Sequence, residues 1–214
     1  MQPSKFVKYL GLLIDPHLNW SYHTKSLASK LNRASGMLSK IRYYVKRASL
    51  INVYYAIFSS ILSYGSQIWG QYNNSYVKHI TKIQNKAIRI INFKSSRTSS
   101  SELYKNSNIL KIRDQITIAN YLFVHDSLNR KTPLSLQRRF DLIQDSHNYD
   151  VRNAAKHCVK LPPARTTEFG IHSILGQAAR NWNYFQILYK NDYMHQQTRN
   201  KCKIKLRQLS KIYN

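Results

Sequence analysis

Lys25, Arg33, Lys40 and Arg47 recur at intervals of eight, seven and seven, and Lys78, Lys82, Lys86 and Arg89 at four, four and three. On a helix such intervals stack the cations along one face, with Tyr22 and Tyr43 on the first of these faces. A row of cations can track successive phosphates of a duplex or a single strand. A solvated surface face is the plain alternative, but there acids normally alternate with bases. Here the interval between Asp15 and Glu102 holds thirteen lysines and arginines and no carboxylate. That absence keeps both readings open.

The same absence excludes other chemistry. Two-metal phosphoryl transfer needs clustered carboxylates, and none cluster here. There is no GxGxxG or GxxxxGK cradle among six glycines. His157 and Cys158 are neighbours but point in different directions in any regular element, and neither CxxC nor HxxxH spacing occurs. No residue is therefore singled out as catalytic or as a metal ligand, and a Cys158-based hydrolase has no motif behind it. His23, close to Trp20, reads as a packing residue. Tyr64 and Trp69 fit either base stacking or a core.

The whole chain has 214 residues, a formal charge of +25 and 43% apolar residues. It is long enough and apolar enough to fold, and a polyanionic partner would relieve its self-repulsion. Two cysteines fit a reducing compartment. No signal peptide or membrane span is legible, so a nuclear or cytoplasmic place inside the cell is expected. No cofactor, small-molecule substrate or membrane partner is expected.

The elements that must hold the cations follow from periodicity. Phe6 to Ile14, closed by Asp15-Pro16, reads as one short apolar strand. From Ser21 to Arg47, Leu27, Leu31, Ala34, Leu38, Ile41 and Val45 define a helix face, with Ser21 or Asn19 as its cap. Ser49 is expected to cap an uncharged, buried helix from Leu50 to about Tyr64, and Gly65 and Gly70 end it. A third helix runs from about Ser75 to Asn92, carrying the second cationic row. The loop Lys94 to Ser101 is the best internal boundary. A short helix opens at Ser101, and a longer one is marked by Ile109, Ile112, Ile116, Ala119 and Phe123, ending near Arg130. Pro133, Pro162 and Pro163 interrupt the next region, where His147–Arg152 and Leu161–Thr167 read as extended. Ile171 to Phe185 restarts a helix, and the end from Arg199 is a basic amphipathic helix or tail. The expected fold is mainly α: a helical bundle with one short N-terminal β-strand.

Several segments carry a resemblance. Lys8-Tyr9-Leu10-Gly11-Leu12-Leu13-Ile14-Asp15, then Leu18-Asn19-Trp20 and His23, resembles the segment after the palm of non-LTR, LINE-type retrotransposon reverse transcriptases. Tyr54, Tyr64-Gly65, Ile68-Trp69-Gly70 and Ile83-Gln84-Asn85-Lys86-Ala87-Ile88-Arg89-Ile90-Ile91 fit the same family. So do Tyr149 to Arg152, Leu161-Pro162 to Arg165-Thr166, Gly170, Ser173-Ile174 and Trp182-Asn183. Their order and spacing together, across residues 5–190, carry the resemblance. The chain departs from the pattern where Tyr184-Phe185 follow Asn183, and where the Cys/His knuckle of some members is missing.

The resemblance implies a division into residues 1–15, the end of the palm; 16–94, a thumb-like bundle; and 101–214, a C-terminal helical region with a basic tail. It implies that Tyr9, Leu10 and Gly11 act like a primer grip, where an ordinary strand is the alternative, and that Asp15 is not catalytic. It implies partners too: a primer–template duplex of RNA or DNA, and the palm and fingers of a full-length polymerase. The family's Tyr/Phe-x-Asp-Asp motif would precede this chain, so a fragment without catalysis is expected. A small basic structural or ribonucleoprotein assembly protein is the other class that fits the composition.

Overall fold

The computed structural model describes residues 5–71, 74–105, 107, 109–146, 157–166, 172–188 and 197–212. It divides into two compact units, residues 1–115 and 116–213. The architecture is mainly α, as its periodicity requires, with a small β element at the N-terminus.

That β element is a pair of strands, where the sequence suggested one. β1 (Val7–Tyr9) pairs antiparallel with β2 (Leu12–Ile14), in the register Val7 with Ile14 and Tyr9 with Leu12. Leu10 and Gly11 have φ of 45° and 81°. Positive φ at both central residues is what a tight hairpin turn needs, because it matches the twist of the strands it joins. The run therefore pairs with itself. Leu12 enters the core, while Val7, Tyr9 and Leu10 stay exposed.

Asp15 follows and is buried. Its carboxylate accepts the N–H groups of Asn19 at 3.0 Å and Trp20 at 2.9 Å. A negative group just ahead of a helix is favoured by the unsatisfied N–H groups of the first turn. Helix α1 (Ser21–Ile41) starts there, with Trp20 as its left-handed N-cap and Asn19 Oδ1 accepting the Ser21 N–H. Leu27, Leu31, Ala34 and Leu38 form its buried face.

α1 stops at Ile41, six residues short of Arg47. Arg42 to Lys46 turn the chain, and α2 (Arg47–Val53) begins at Arg47 with Lys46 as an extended N-cap that offers no side-chain bond. Ser49 therefore lies inside the first turn of α2 and does not cap it. α2 runs into a wider π-type turn (Tyr54–Ser59) and then α3 (Ser60–Ser63). Tyr54 and Phe58, both fully buried, stack across that turn with centroids 5.1 Å apart.

Gly65, with φ of 60°, separates α3 from α4 (Ser66–Trp69). Trp69 is fully buried and donates Nε1–H to the Tyr64 carbonyl at 3.0 Å, so it belongs to the core; Tyr64 is exposed. α5 (Asn74–Ile91) packs on α1 and buries Val77, Ile80, Ala87, Ile88 and Ile91. α6 (Ser100–Lys105) packs on α5.

α7 (Ile112–Leu128) carries the chain into the second unit. There Tyr121 stacks on Trp182 of α9 (Ile174–Leu188) at 4.5 Å. Trp182 donates to the His157 carbonyl at 2.8 Å, and Asn183 holds both the N–H and the carbonyl of Val159. The short α8 (Leu134–Gln137) lies between, and α10 (Arg199–Ile212) is a helix with Cys202 and Leu206 buried. Arg199 reaches Asp126 at 2.8 Å. Residues 161–166 form neither helix nor strand. His147–Asp150, Val151–Lys156, Thr167, Gly170 and Ile171 lie outside the described residues.

Candidate nucleic-acid interface

Each buried residue of α1 fixes where its cations point. At about 100° per residue, Lys25, Arg33 and Lys40 fall within an arc of about 80°, opposite Leu31, Ala34 and Leu38. All three are exposed. Among the described residues no ion pair engages them. Gly36 lies on the same face, and a methyl group placed there would meet nothing within 4 Å. The helix spans about 31 Å at 1.5 Å per residue, long enough to follow several phosphates.

Arg47 is exposed but is not part of that helix. Its guanidinium donates to Asn92 Oδ1 from Nε at 3.1 Å and Nη2 at 2.9 Å, and Asn92 Nδ2 in turn donates to the Ile88 carbonyl. It therefore ties the start of α2 to the end of α5, where a cation meets the unsatisfied carbonyls favourably.

The second row shows the same split. Lys78, Lys82 and Lys86 are exposed on α5. Arg89 is half-buried and donates Nε–H to the Thr98 carbonyl at 2.8 Å, fastening the loop after α5. Among the described residues each row thus has three cations outside any ion pair and one arginine employed in the fold.

Tyr9, Leu10 and Gly11 make the hairpin tip. Tyr64 donates its hydroxyl hydrogen to the Leu10 carbonyl at 2.5 Å, and its ring covers Gly11. Behind the tip lies a cavity of about 330 Å³, walled by Gly11, Ser26, Lys30, Ser60 and Tyr64. His23 also borders it and is buried between Trp20 and Trp69. Burial, then the charge of Lys30, lowers its pKa. Its Nδ1 accepts the Leu13 N–H at 3.4 Å, so the neutral ring holds the hairpin to α1.

The turn between α1 and α2 also presents Tyr43, expected on the cationic face of α1 but lying beyond its end, and Tyr44, which helical spacing did not single out. The available signal was local: two adjacent aromatics bracketed by Lys40, Arg42, Lys46 and Arg47.

Burial pushes the thiols of Cys158 and Cys202 above their ordinary pKa, which suppresses thiolate chemistry. Among the described residues no three His, Cys, Asp or Glu side chains gather where a metal could sit, and no helix is long and apolar enough to cross a membrane.

No protein-family model and no solved structure matches the chain. Two curated proteins of Drosophila melanogaster do. It is 29% identical over 126 residues, 58% of its length, to a protein described as a probable RNA-directed DNA polymerase from transposon X-element. It is 29% identical over 122 residues, 54% of its length, to the corresponding protein from transposon BS. The chain spans 14% and 13% of the length of these relatives. It therefore carries a region like that of retrotransposon reverse transcriptases.

Proposed function

We propose that this chain is a thumb-like, non-catalytic part of a retrotransposon reverse transcriptase that grips primer–template nucleic acid through its phosphates. The observation that carries this reading is the exposed Lys25–Arg33–Lys40 row on α1, unpaired by any carboxylate among the described residues. Likeness to two transposon polymerases supports it. Lys78, Lys82 and Lys86 form a second phosphate track. Tyr9, Leu10 and Gly11, held by Tyr64, support the primer end. Arg47 and Arg89 contribute charge but first secure the fold. Contacts of this kind position a duplex and do not read its sequence. The palm and fingers of a full-length polymerase would be its covalent partners.

The test is the salt dependence of binding to a duplex. Each row of three phosphate contacts adds roughly −3 to the log–log slope. Replacing Lys25, Arg33 and Lys40 with Ala should flatten it without lowering the unfolding midpoint. An affinity indifferent to salt would remove the reading. Incubation with primer–template, deoxynucleotides and Mg²⁺ should give no extension; extension would show the chain to be catalytic.

A further inference from the structure

The turn between α1 and α2 has features that the phosphate track does not use. Tyr43 and Tyr44 are 73% and 87% exposed, the most exposed rings described in the chain. Neither ring is needed by the core. The turn that presents them is nevertheless fixed. The Arg42 N–H donates to Leu38 and the Tyr44 N–H to Ile41, at 3.0 and 2.9 Å. At its far end Arg47 is anchored on Asn92.

Arg42 braces Tyr43, with its guanidinium 4.8 Å from the ring centroid and Nη2 donating to the phenolic oxygen at 2.9 Å. One face of Tyr43 is thereby covered. No ring or cation packs on Tyr44 among the described residues. Lys40 and Lys46, both exposed, lie on either side in sequence.

Exposed rings on a fixed turn, flanked by cations and far from any acid in sequence, match a surface for unpaired bases. Every base has a π-face to stack, and the cations meet its phosphates. Anchoring at both ends means that little order is lost on binding. A membrane surface fits less well, because membrane-seated turns and helices bring Leu, Phe or Trp to insert. Here Val45 is the one aliphatic side chain between Arg42 and Arg47, and it is half-buried.

We propose that Tyr44, with the Arg42-braced Tyr43 beside it, is a stacking platform for an unpaired nucleotide of single-stranded RNA or DNA, with Lys46 on its phosphate. This rests on the nucleic-acid reading above and adds a single-strand site beside the duplex track.

The full chain is tested on a blunt duplex and on the same duplex with a single-stranded overhang carrying 2-aminopurine. The overhang should bind tighter and its fluorescence should be quenched. Tyr44→Ala should weaken overhang binding about 5- to 150-fold, abolish the quenching and leave the blunt duplex unaffected. Tyr44→Trp should retain the preference, and Tyr44→Leu should behave like the Ala variant. An unchanged unfolding midpoint shows that the fold is intact.

The platform is overturned if Tyr44→Ala binds both probes like the wild type, if Leu substitutes fully, or if both probes weaken equally. It is also overturned if the variant loses only binding to phosphatidylserine vesicles, which would assign the turn to a membrane. A wild-type chain that binds neither probe would defeat the nucleic-acid reading itself, and the platform with it. Loss of the overhang preference alone leaves that reading standing.

Discussion

Gln84 donates an Nε2 hydrogen to the phenolic oxygen of Tyr54 across 3.1 Å, inside the first unit where both side chains are fully buried. The same amide donates to the Leu110 carbonyl at 2.9 Å and accepts the Ile112 N–H at 3.0 Å. One side chain thus joins α5, the wide turn after α2 and the start of α7. Its removal strands two partners, because Leu110 keeps a second donor in Gln115. A buried group left unpaired costs about 1–3 kcal/mol. Gln84→Leu should therefore lose about 2–4 kcal/mol in urea unfolding, and Tyr54→Phe clearly less. Equal losses would show that Gln84 does not link the three elements.

Gly65 and Gly36 should respond to alanine in opposite directions. Gly65 has φ of 60°, and an added methyl would come 2.9 Å from Leu12 Cδ2. Left-handed backbone costs about 1–2 kcal/mol and overpacking about 1–3 kcal/mol, so Gly65→Ala should lose at least about 2 kcal/mol. Leu12→Ala in the same chain should relieve the clash but not the backbone term, which a double-mutant cycle will show. Gly36 lies mid-helix with open space around it. Gly36→Ala should gain about 0.5–1 kcal/mol. A loss at Gly36 would mean that the face is not open.

The sequence revealed what depends on residue spacing and concealed what depends on distant contacts. Lys25, Arg33 and Lys40 could be placed because periodicity is local. Arg47 could not. No Pro or Gly lies between Ile41 and Arg47 to announce the end of α1, and the contact that fixes Arg47 is with Asn92, 45 residues away. Arg89 keeps its place in the second row, but its bond to the Thr98 carbonyl, nine residues on, follows no helical period. Within Leu10-Gly11 only the glycine signals a turn; Leu10 at φ 45° does not. The wide turn at Tyr54–Ser59 has no composition of its own, so a plain helix was the natural expectation there.

His23 predicts a pH response. Its folded-state pKa is lowered by burial and then by Lys30, so the unfolded chain, near the ordinary value of about 6.5, holds the proton more tightly. The His23 contribution to stability is complete above that value and is lost as pH falls toward the folded pKa. The unfolding midpoint of the wild type should therefore drop below about pH 6.5. His23→Gln, which keeps an amide near Leu13 and cannot titrate, should show a flatter profile over this range. Parallel profiles would exclude His23 as the source.

Among the described residues, two helices end on a left-handed residue that is not glycine. Lys94 donates its N–H to the Arg89 carbonyl around Phe93, and Lys131 to the Asp126 carbonyl around Arg130, at 3.0 and 2.8 Å. Phe93 and Arg130 have φ of 55° and 57°, the position that helix ends usually give to glycine. A side chain there costs about 1–2 kcal/mol, partly offset because glycine loses more freedom on folding. Arg130 is exposed, so Arg130→Gly should gain about 0.5–1 kcal/mol. Phe93 is only 50% exposed; Phe93→Gly forfeits the covered half of its ring and should gain less. Arg130→Ala separates backbone relief from loss of charge: it removes the charge and keeps the strain. Thermal unfolding that ranks Arg130→Gly level with Arg130→Ala would show that the left-handed turn stores no strain.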